Sequence, residues 1–187
     1  MKMILTAIRV SVVLMLICGL IYPLVTTGFA QVMFPNQANG SLIEKNGTVI
    51  GSELLAQNFE SPKLFHPRAS AAKYDPTASA GSNTAVASDD YVKSVADQID
   101  ALKKENPNLK DIPADLVTGS GSGFDPDLSP EAAKAQVPRV SGETGMSEKA
   151  LNQLIDSVTK NRQLGVFGEP RVNVMQLNLE LLKQIKL

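Results

Sequence analysis

The chain has 187 residues, a formal net charge of −1, one cysteine, one histidine and no tryptophan, which is room for one domain of ordinary size. Near-neutral charge gives no electrostatic footprint for a phosphate backbone, and a lone Cys18 forms neither an internal disulfide nor a thiolate zinc site. Nucleic-acid binding and cysteine-built metal centres are set aside on that basis.

The charges are unevenly spread. No charged side chain lies between Arg9 and Glu44, and Val10 to Ala30 is almost wholly apolar or small. At 1.5 Å per residue this stretch reaches about 30 Å, the thickness of a bilayer's hydrocarbon core. It reads as a membrane span. Pro23 inside it predicts a kink, with Ser11, Thr26 and Thr27 returning hydroxyls to backbone carbonyls and Thr27 placed to re-satisfy groups freed by the proline. Gly28-Phe29-Ala30 resembles a signal-peptidase site, but the apolar stretch exceeds an ordinary signal core and bulky Met33, Phe34 and Pro35 follow it. Cys18 reads as a buried membrane thiol. Lys2, Arg9 and the α-amino group precede the span and nothing basic follows until Lys45, so the positive-inside rule predicts a cytoplasmic N-terminus.

Beyond the span, Asn46-Gly47 between Leu42–Lys45 and Thr48–Ile50 predicts a hairpin with a two-residue type I′ turn. Asn39-Gly40-Ser41 and Asn46-Gly47-Thr48 also match the glycosylation acceptor pattern, but Asn-Gly commonly serves turns and is read so here. Ser61 to Ser88 has no hydrophobic period and reads as a long irregular segment, functional or disordered. A helix carrying Tyr91, Val92, Val95, Ala96, Ile99 and Leu102 on one face is expected from Ser88 or Asp89 to Asn106-Pro107. Ser129-Pro130-Glu131 opens a short helix ending before Pro138, and another begins at Ser147 and buries Leu151, Leu154, Ile155 and Val158. The last runs through Val174, Leu177, Leu181 and Ile185, with Lys183 and Lys186 where its dipole favours cations. Short strands are predicted at Leu116-Val117-Thr118 and Val172-Asn173-Val174. The expected fold is a single N-terminal transmembrane helix plus one α+β (or α/β) extracytoplasmic domain. Residues 1–9 are assigned to the cytoplasm, 10–34 to the membrane and 35–187 to the external domain.

Chemistry-bearing patterns are few. His66 is the sole imidazole, without a G-x-S-x-G elbow, and reads as a hydrogen-bonded loop histidine. Gly119-Ser120-Gly121-Ser122-Gly123 lacks the lysine of a phosphate loop and reads as a flexible turn; Asp125 and Asp127 lack the rest of a calcium loop. No catalytic, cofactor or metal site is assigned. Two classes stay open on the residues alone: a structural or regulatory subunit of a membrane complex, and an anchored external binding module or hydrolase unrelated to ion transport. Gly19 and Gly28 on the kinked span, which permit close helix approach, favour the first.

The sequence also resembles the C subunit of the Kdp-type potassium-transporting ATPase over nearly its whole length. The resemblance is carried by Tyr22-Pro23-Leu24, Thr26-Thr27, Phe34-Pro35, Gln37 through Ile43, Gly51-Ser52, Gln57-Asn58-Phe59, Phe65-His66 and Ser79 through Asn83. It continues in Leu116-Val117-Thr118, Ser122-Gly123, Ser129-Pro130 and Pro170 through Leu181. One departure is Pro67-Arg68-Ala69-Ser70, where the family usually reads Gly-Arg-Pro-Ser; Arg68 is kept. The resemblance implies a non-catalytic subunit of a high-affinity potassium-uptake complex in the cell membrane. Its partners would be a channel-like potassium-binding subunit and a P-type ATPase subunit, which handle potassium and ATP, so the chain needs no cofactor of its own. It further implies a catalytic-chaperone role that raises ATP affinity of the hydrolytic subunit, and ATP binding, although the charge bias places Gly119 to Gly123 on the side away from ATP. The expected partner contacts are Pro23 and Thr27 in the span, Phe34 and Pro35 at the membrane surface, and Asn58, Phe59, His66, Arg68, Ser82 and Asn83 in loops.

Overall fold

In the first fifty residues the apolar run does form one helix, α1, over Lys2–Met33, long and apolar enough to cross a membrane. The computed structural model describes residues 2–107, 109 and 111–185. Proline at position 23 offers no N–H, and its ring would press on the carbonyl four residues back. The helix widens immediately before it: Ile17–Ile21 is a π turn in which the Tyr22 N–H reaches Ile17 O. Thr26 returns its hydroxyl to the backbone as expected, at 2.8 Å from Tyr22 O and 3.1 Å from Pro23 O, whereas Thr27, expected to re-satisfy the groups the proline frees, makes no such bond among the described residues. The geometry is local, because a helical threonine reaches the carbonyl one turn behind it, and for Thr26 that lies beside the proline. Cys18 is exposed on the helix surface and is not covered by the chain itself.

Phe34 breaks the helix, and a single turn, α2 (Pro35–Ala38), leads to the hairpin β1 (Leu42–Lys45) and β2 (Thr48–Ser52). Its turn is of the expected kind. Asn46 and Gly47 both have positive φ, +54° and +75°, as a two-residue I′ connection requires.

The chain divides into two compact units, Met1–Ile50 and Gly51–Leu187. Within the second, residues 61–88 contain neither helix nor strand. Helix α3 (Asp89–Glu105) follows, with Ser88 Oγ accepting from Tyr91 N at 3.3 Å and Lys103 and Lys104 in its last turn. It lies shallowly: no residue is fully buried, and Val92 and Ala96 of the expected apolar face are exposed. The strand expected at Leu116-Val117-Thr118 is instead a one-turn helix, α4 (Ala114–Val117), following Pro113. Thr118 closes it with both its N–H and its hydroxyl on Ala114 O. β-Branched residues supply strand propensity only where a partner strand and a pleated surface exist, and here burial of Leu116 and Val117 on the core decides otherwise.

β3 (Asp127–Leu128) precedes α5 (Pro130–Ala135), capped by Ser129 Oγ on Ala132 N at 3.1 Å. The short helix ends before Pro138 as predicted, but the chain re-enters a helix at once, α6 (Val137–Thr144), because proline is tolerated in a first turn. α7 (Glu148–Val158) starts at its Ser147 cap and buries Leu151, Leu154 and Ile155, with Val158 half-buried. β4 (Thr159–Lys160) and β5 (Arg171–Asn173) follow, and α8 (Val174–Gln184) closes the domain. Val174, expected to end a strand, is the first residue of α8, because Asn173 caps the helix through Oδ1 on Gln176 N at 3.0 Å. Lys186 lies outside the described residues. The strands form a small antiparallel sheet in the order β3-β5-β4, with Leu128 and Thr159 both opposite Val172. Leu128, Val137, Val140, Leu151, Ile155, Val172, Leu177 and Leu181 make a dry core between that sheet and α5–α8. The fold is thus one long apolar helix and a domain of mixed helices with a small antiparallel sheet.

Candidate interaction site

Phe65 is fully buried and anchors the irregular segment in the core. Its backbone groups have no strand or helix to pair with, so they need side chains. Asn178, 1% exposed on the inner face of α8, supplies both: Oδ1 accepts from Phe65 N at 2.8 Å and Nδ2 donates to Phe65 O at 2.9 Å. The next residue is held the same way. Gln136 Oε1 accepts from His66 N at 2.8 Å, and its Nε2 donates to His66 O at 3.0 Å. Arg139, its side chain 8% exposed, donates to the carbonyls of Pro62 and Leu64 and, at 2.8 Å, to Gln136 Oε1. Three polar side chains on α5–α6 and α8 therefore hold the backbone of residues 62–66 from beneath.

The His66 ring sits above this clamp. Nε2 lies 3.1 Å from Ser61 O, and Nδ1 4.0 Å from Glu105 Oε2, the same oxygen that lies 3.6 Å from Arg139 Nε. Burial, and then Arg139, hold the imidazole below its ordinary value, against the Ser61 carbonyl and Glu105, which favour the proton. Burial also draws the Arg139 guanidinium down, opposed by Glu105 and Glu143. His66, Glu105 and Arg139, with Leu102 and Asn106, line a cavity of ≈ 50 Å³, the size of one or two waters.

Arg68 is tied into a second cluster. Nη1 donates to Asp125 Oδ2 at 3.0 Å and Nη2 to Thr118 Oγ1 at 3.4 Å, and its backbone carbonyl accepts from the Tyr74 hydroxyl at 2.6 Å. Burial raises the Tyr74 phenol. Burial disfavours the Asp115 carboxylate too, but hydrogen bonds from Ser129 and the charge of Arg68 outweigh it, and the net shift is downward.

The glycine-rich segment 119–123 is packed rather than flexible. Ser120 is 4% exposed, its N–H bonds Ala69 O at 2.9 Å, and Ser79 Oγ donates to Ser122 O at 3.0 Å. Gly123 has φ +76°, and a Cβ there would stand 2.8 Å from Ala80 O; one on Gly81 would stand 2.9 Å from Gly121 O. Ser120 Oγ takes the amides of Gly123 and Asp125, and Ser122 Oγ that of Phe124. Those donors are already satisfied and are not presented to an anion.

Of the expected contact residues, Pro23, Thr27, Phe34 and Pro35 belong to the first unit and are exposed there. Phe59 packs against the core of the second unit. His66 and Arg68 are half-buried in the clusters above, while Asn58, bonded to Glu60 at 2.9 Å, and Ser82 and Asn83 are exposed. Asn83 stands at φ +52°. Gln136, Arg139 and Asn178 escaped the reading of the sequence. Asn178 had a visible signal, an amide at the centre of the apolar stripe formed by Val174, Leu177 and Leu181.

A family model described as "KdpC: K+-transporting ATPase, c chain" matches residues 4–183. Among curated relatives, a protein of Geobacter sulfurreducens is 50% identical over 186 residues, covering 97% of each chain. One of Bacillus cereus is 48% identical over 183 residues, and one of Caldanaerobacter subterraneus 46% over 181, each covering 96% of this chain and 94% of the relative. All three are named potassium-transporting ATPase KdpC subunits. With a match of this extent, the chain belongs to the KdpC family, the c chain of the K+-transporting ATPase.

Proposed function

We propose that this chain is a non-catalytic accessory subunit of a high-affinity, ATP-driven potassium-uptake complex in the cell membrane, holding the assembly together rather than carrying out chemistry. The observation that carries the reading is the use of its buried polar groups. Asn178, Gln136 and Arg139 are spent on fixing the backbone of an irregular loop, which a docking surface requires because a pre-ordered loop loses less entropy on binding. Membership in a family of ATPase subunits supports partners within the same complex, a channel-like potassium-binding subunit and the P-type ATP-hydrolysing subunit. ATP and potassium would be handled by those subunits, and any rise in ATP affinity would be an effect of docking.

Helix α1 acts in this reading as a permanent tether, with residues 1–9 cytoplasmic, 10–34 in the bilayer and 35–187 outside. Support for that orientation is the charge bias, Lys2 and Arg9 before the span and no basic residue after it until Lys45. Tethering makes docking effectively intramolecular, so a modest contact suffices. Its candidates are Pro23, Thr27, Phe34 and Pro35 near the bilayer and Asn58, Phe59, His66, Arg68, Ser82 and Asn83 on the domain. Protease added to either side of sealed vesicles, together with co-purification of the other subunits, tests the proposal. Digestion from the outer side alone and retention of both partners are expected; a domain digested only from the cytoplasmic side would overturn the orientation, and normal potassium-limited growth after deletion would overturn the role.

A further inference from the structure

Two Asn-Gly pairs lie between the apolar helix and the domain in sequence, Asn39-Gly40 and Asn46-Gly47. An asparagine followed by glycine is open to a spontaneous reaction, because no Cβ shields the next backbone nitrogen. That nitrogen attacks the asparagine Cγ, the Cγ–N bond of the side-chain amide breaks, and ammonia leaves with the backbone proton. Water then opens the cyclic imide at either carbonyl, leaving aspartate or isoaspartate. The reaction needs a free nucleophile and a side chain able to rotate towards it.

Both asparagines are exposed, so exposure does not separate them, but their hydrogen bonding does. Asn39 Nδ2 donates to Pro35 O at 2.8 Å and to Gln31 Oε1 at 3.4 Å, while its Oδ1 accepts from Gln31 Nε2 at 3.2 Å. The nitrogen that would attack is also engaged, since Gly40 N donates to Gln37 O at 3.0 Å. Among the described residues, neither the Asn46 side-chain amide nor the Gly47 N–H has a hydrogen-bond partner. The hairpin around them is a two-stranded sheet whose Leu42 and Val49 are 47% and 51% exposed. Such a ladder is marginal and opens locally, which gives Asn46 the rotation the attack requires.

We propose that Asn46 is the covalent modification site of this region: it deamidates through the Gly47 nitrogen in the folded chain, whereas Asn39, with the same dipeptide, is protected by Gln31, Pro35 and the engaged Gly40 amide. Isoaspartate would insert an extra backbone methylene into a turn that closes only with two residues at positive φ, and the hairpin would lose its register. The test is peptide mapping by mass spectrometry, with enzymatic methylation to detect isoaspartate, on the full detergent-solubilised chain held in mildly alkaline buffer. Conversion at Asn46 should outpace Asn39 by roughly tenfold, the factor set by the net worth of one hydrogen bond, and the two rates should converge in the denatured chain. Gln31→Ala should speed Asn39 and leave Asn46 unchanged. Equal rates in the folded chain, or an intact Asn46 beside a converted Asn39, would overturn the assignment.

Discussion

Asn178 illustrates why a buried amide is tolerated at all: it costs desolvation, and both halves of that cost are returned by the Phe65 N–H and C=O. Asn178→Ala should orphan two buried backbone groups and lower stability by about 3 kcal/mol, measured by urea unfolding of the solubilised chain; a loss within the error of the measurement would mean the loop finds other partners. His66 supplies a pH dependence with a defined sign. Its folded value is held below the ordinary 6.5, so the unfolded chain binds the proton more readily. Its contribution to stability is therefore complete above the unfolded value and is lost as pH falls through it towards the folded one. The thermal midpoint should decline on acidification through that window, and His66→Gln should flatten the decline; an unchanged slope would place the titration elsewhere. The bland reading of His66 as a hydrogen-bonded loop residue was legible. Its partners Gln136, Glu105 and Arg139 were not, since they come from helices that only the folded chain brings to the same place.

Elements with a strong local signal formed where expected. Ser88, Ser129 and Ser147 each cap a helix through the side chain, and Asn46-Gly47 makes its turn, because caps and I′ turns are decided within four residues. Leu116 to Thr118 went the other way, since its strand propensity met no neighbouring strand. Segment 119–123 differed for a similar reason: glycine and serine look flexible in sequence, yet the segment is packed and at position 123 only glycine fits. Gly123→Ala combines a left-handed φ with a Cβ 2.8 Å from a carbonyl oxygen, whereas a Cβ on Gly121 meets nothing within 4 Å. The first variant should lose about 2 kcal/mol or more and the second almost nothing, as read from thermal midpoints; equal losses would show that the packing of this loop does not matter.

At the scale of the molecule, the two units divide the work proposed for the chain. In that proposal the first unit carries the membrane tether and most of the hairpin, and the second a small core that displays an ordered loop. Arg68, one of the proposed contacts, is also structural, since its guanidinium holds Asp125 while its backbone carbonyl accepts from the Tyr74 hydroxyl. Replacing it would confuse folding with docking. Asn83 separates them: it is exposed at φ +52°, so Asn83→Gly keeps the backbone and removes only the side chain. The domain should remain as stable as before while fewer of the ATPase partners co-purify, or potassium affinity falls. Unchanged assembly and transport would remove this loop from the contact surface.

The sequence by itself determined the apolar helix, the serine caps, the hairpin turn and the family, because each is written in contiguous residues whose periodicity or turn chemistry acts locally. Tertiary structure alone decided that Phe65 and His66 are clamped from α8 and α5–α6, that Leu116 and Val117 end a helical turn rather than start a strand, and that Gly81 and Gly123 are required by close backbone contacts. Those outcomes depend on which distant groups arrive within hydrogen-bonding or van der Waals reach, and separations such as the 113 residues between Phe65 and Asn178 leave no periodic trace in the chain.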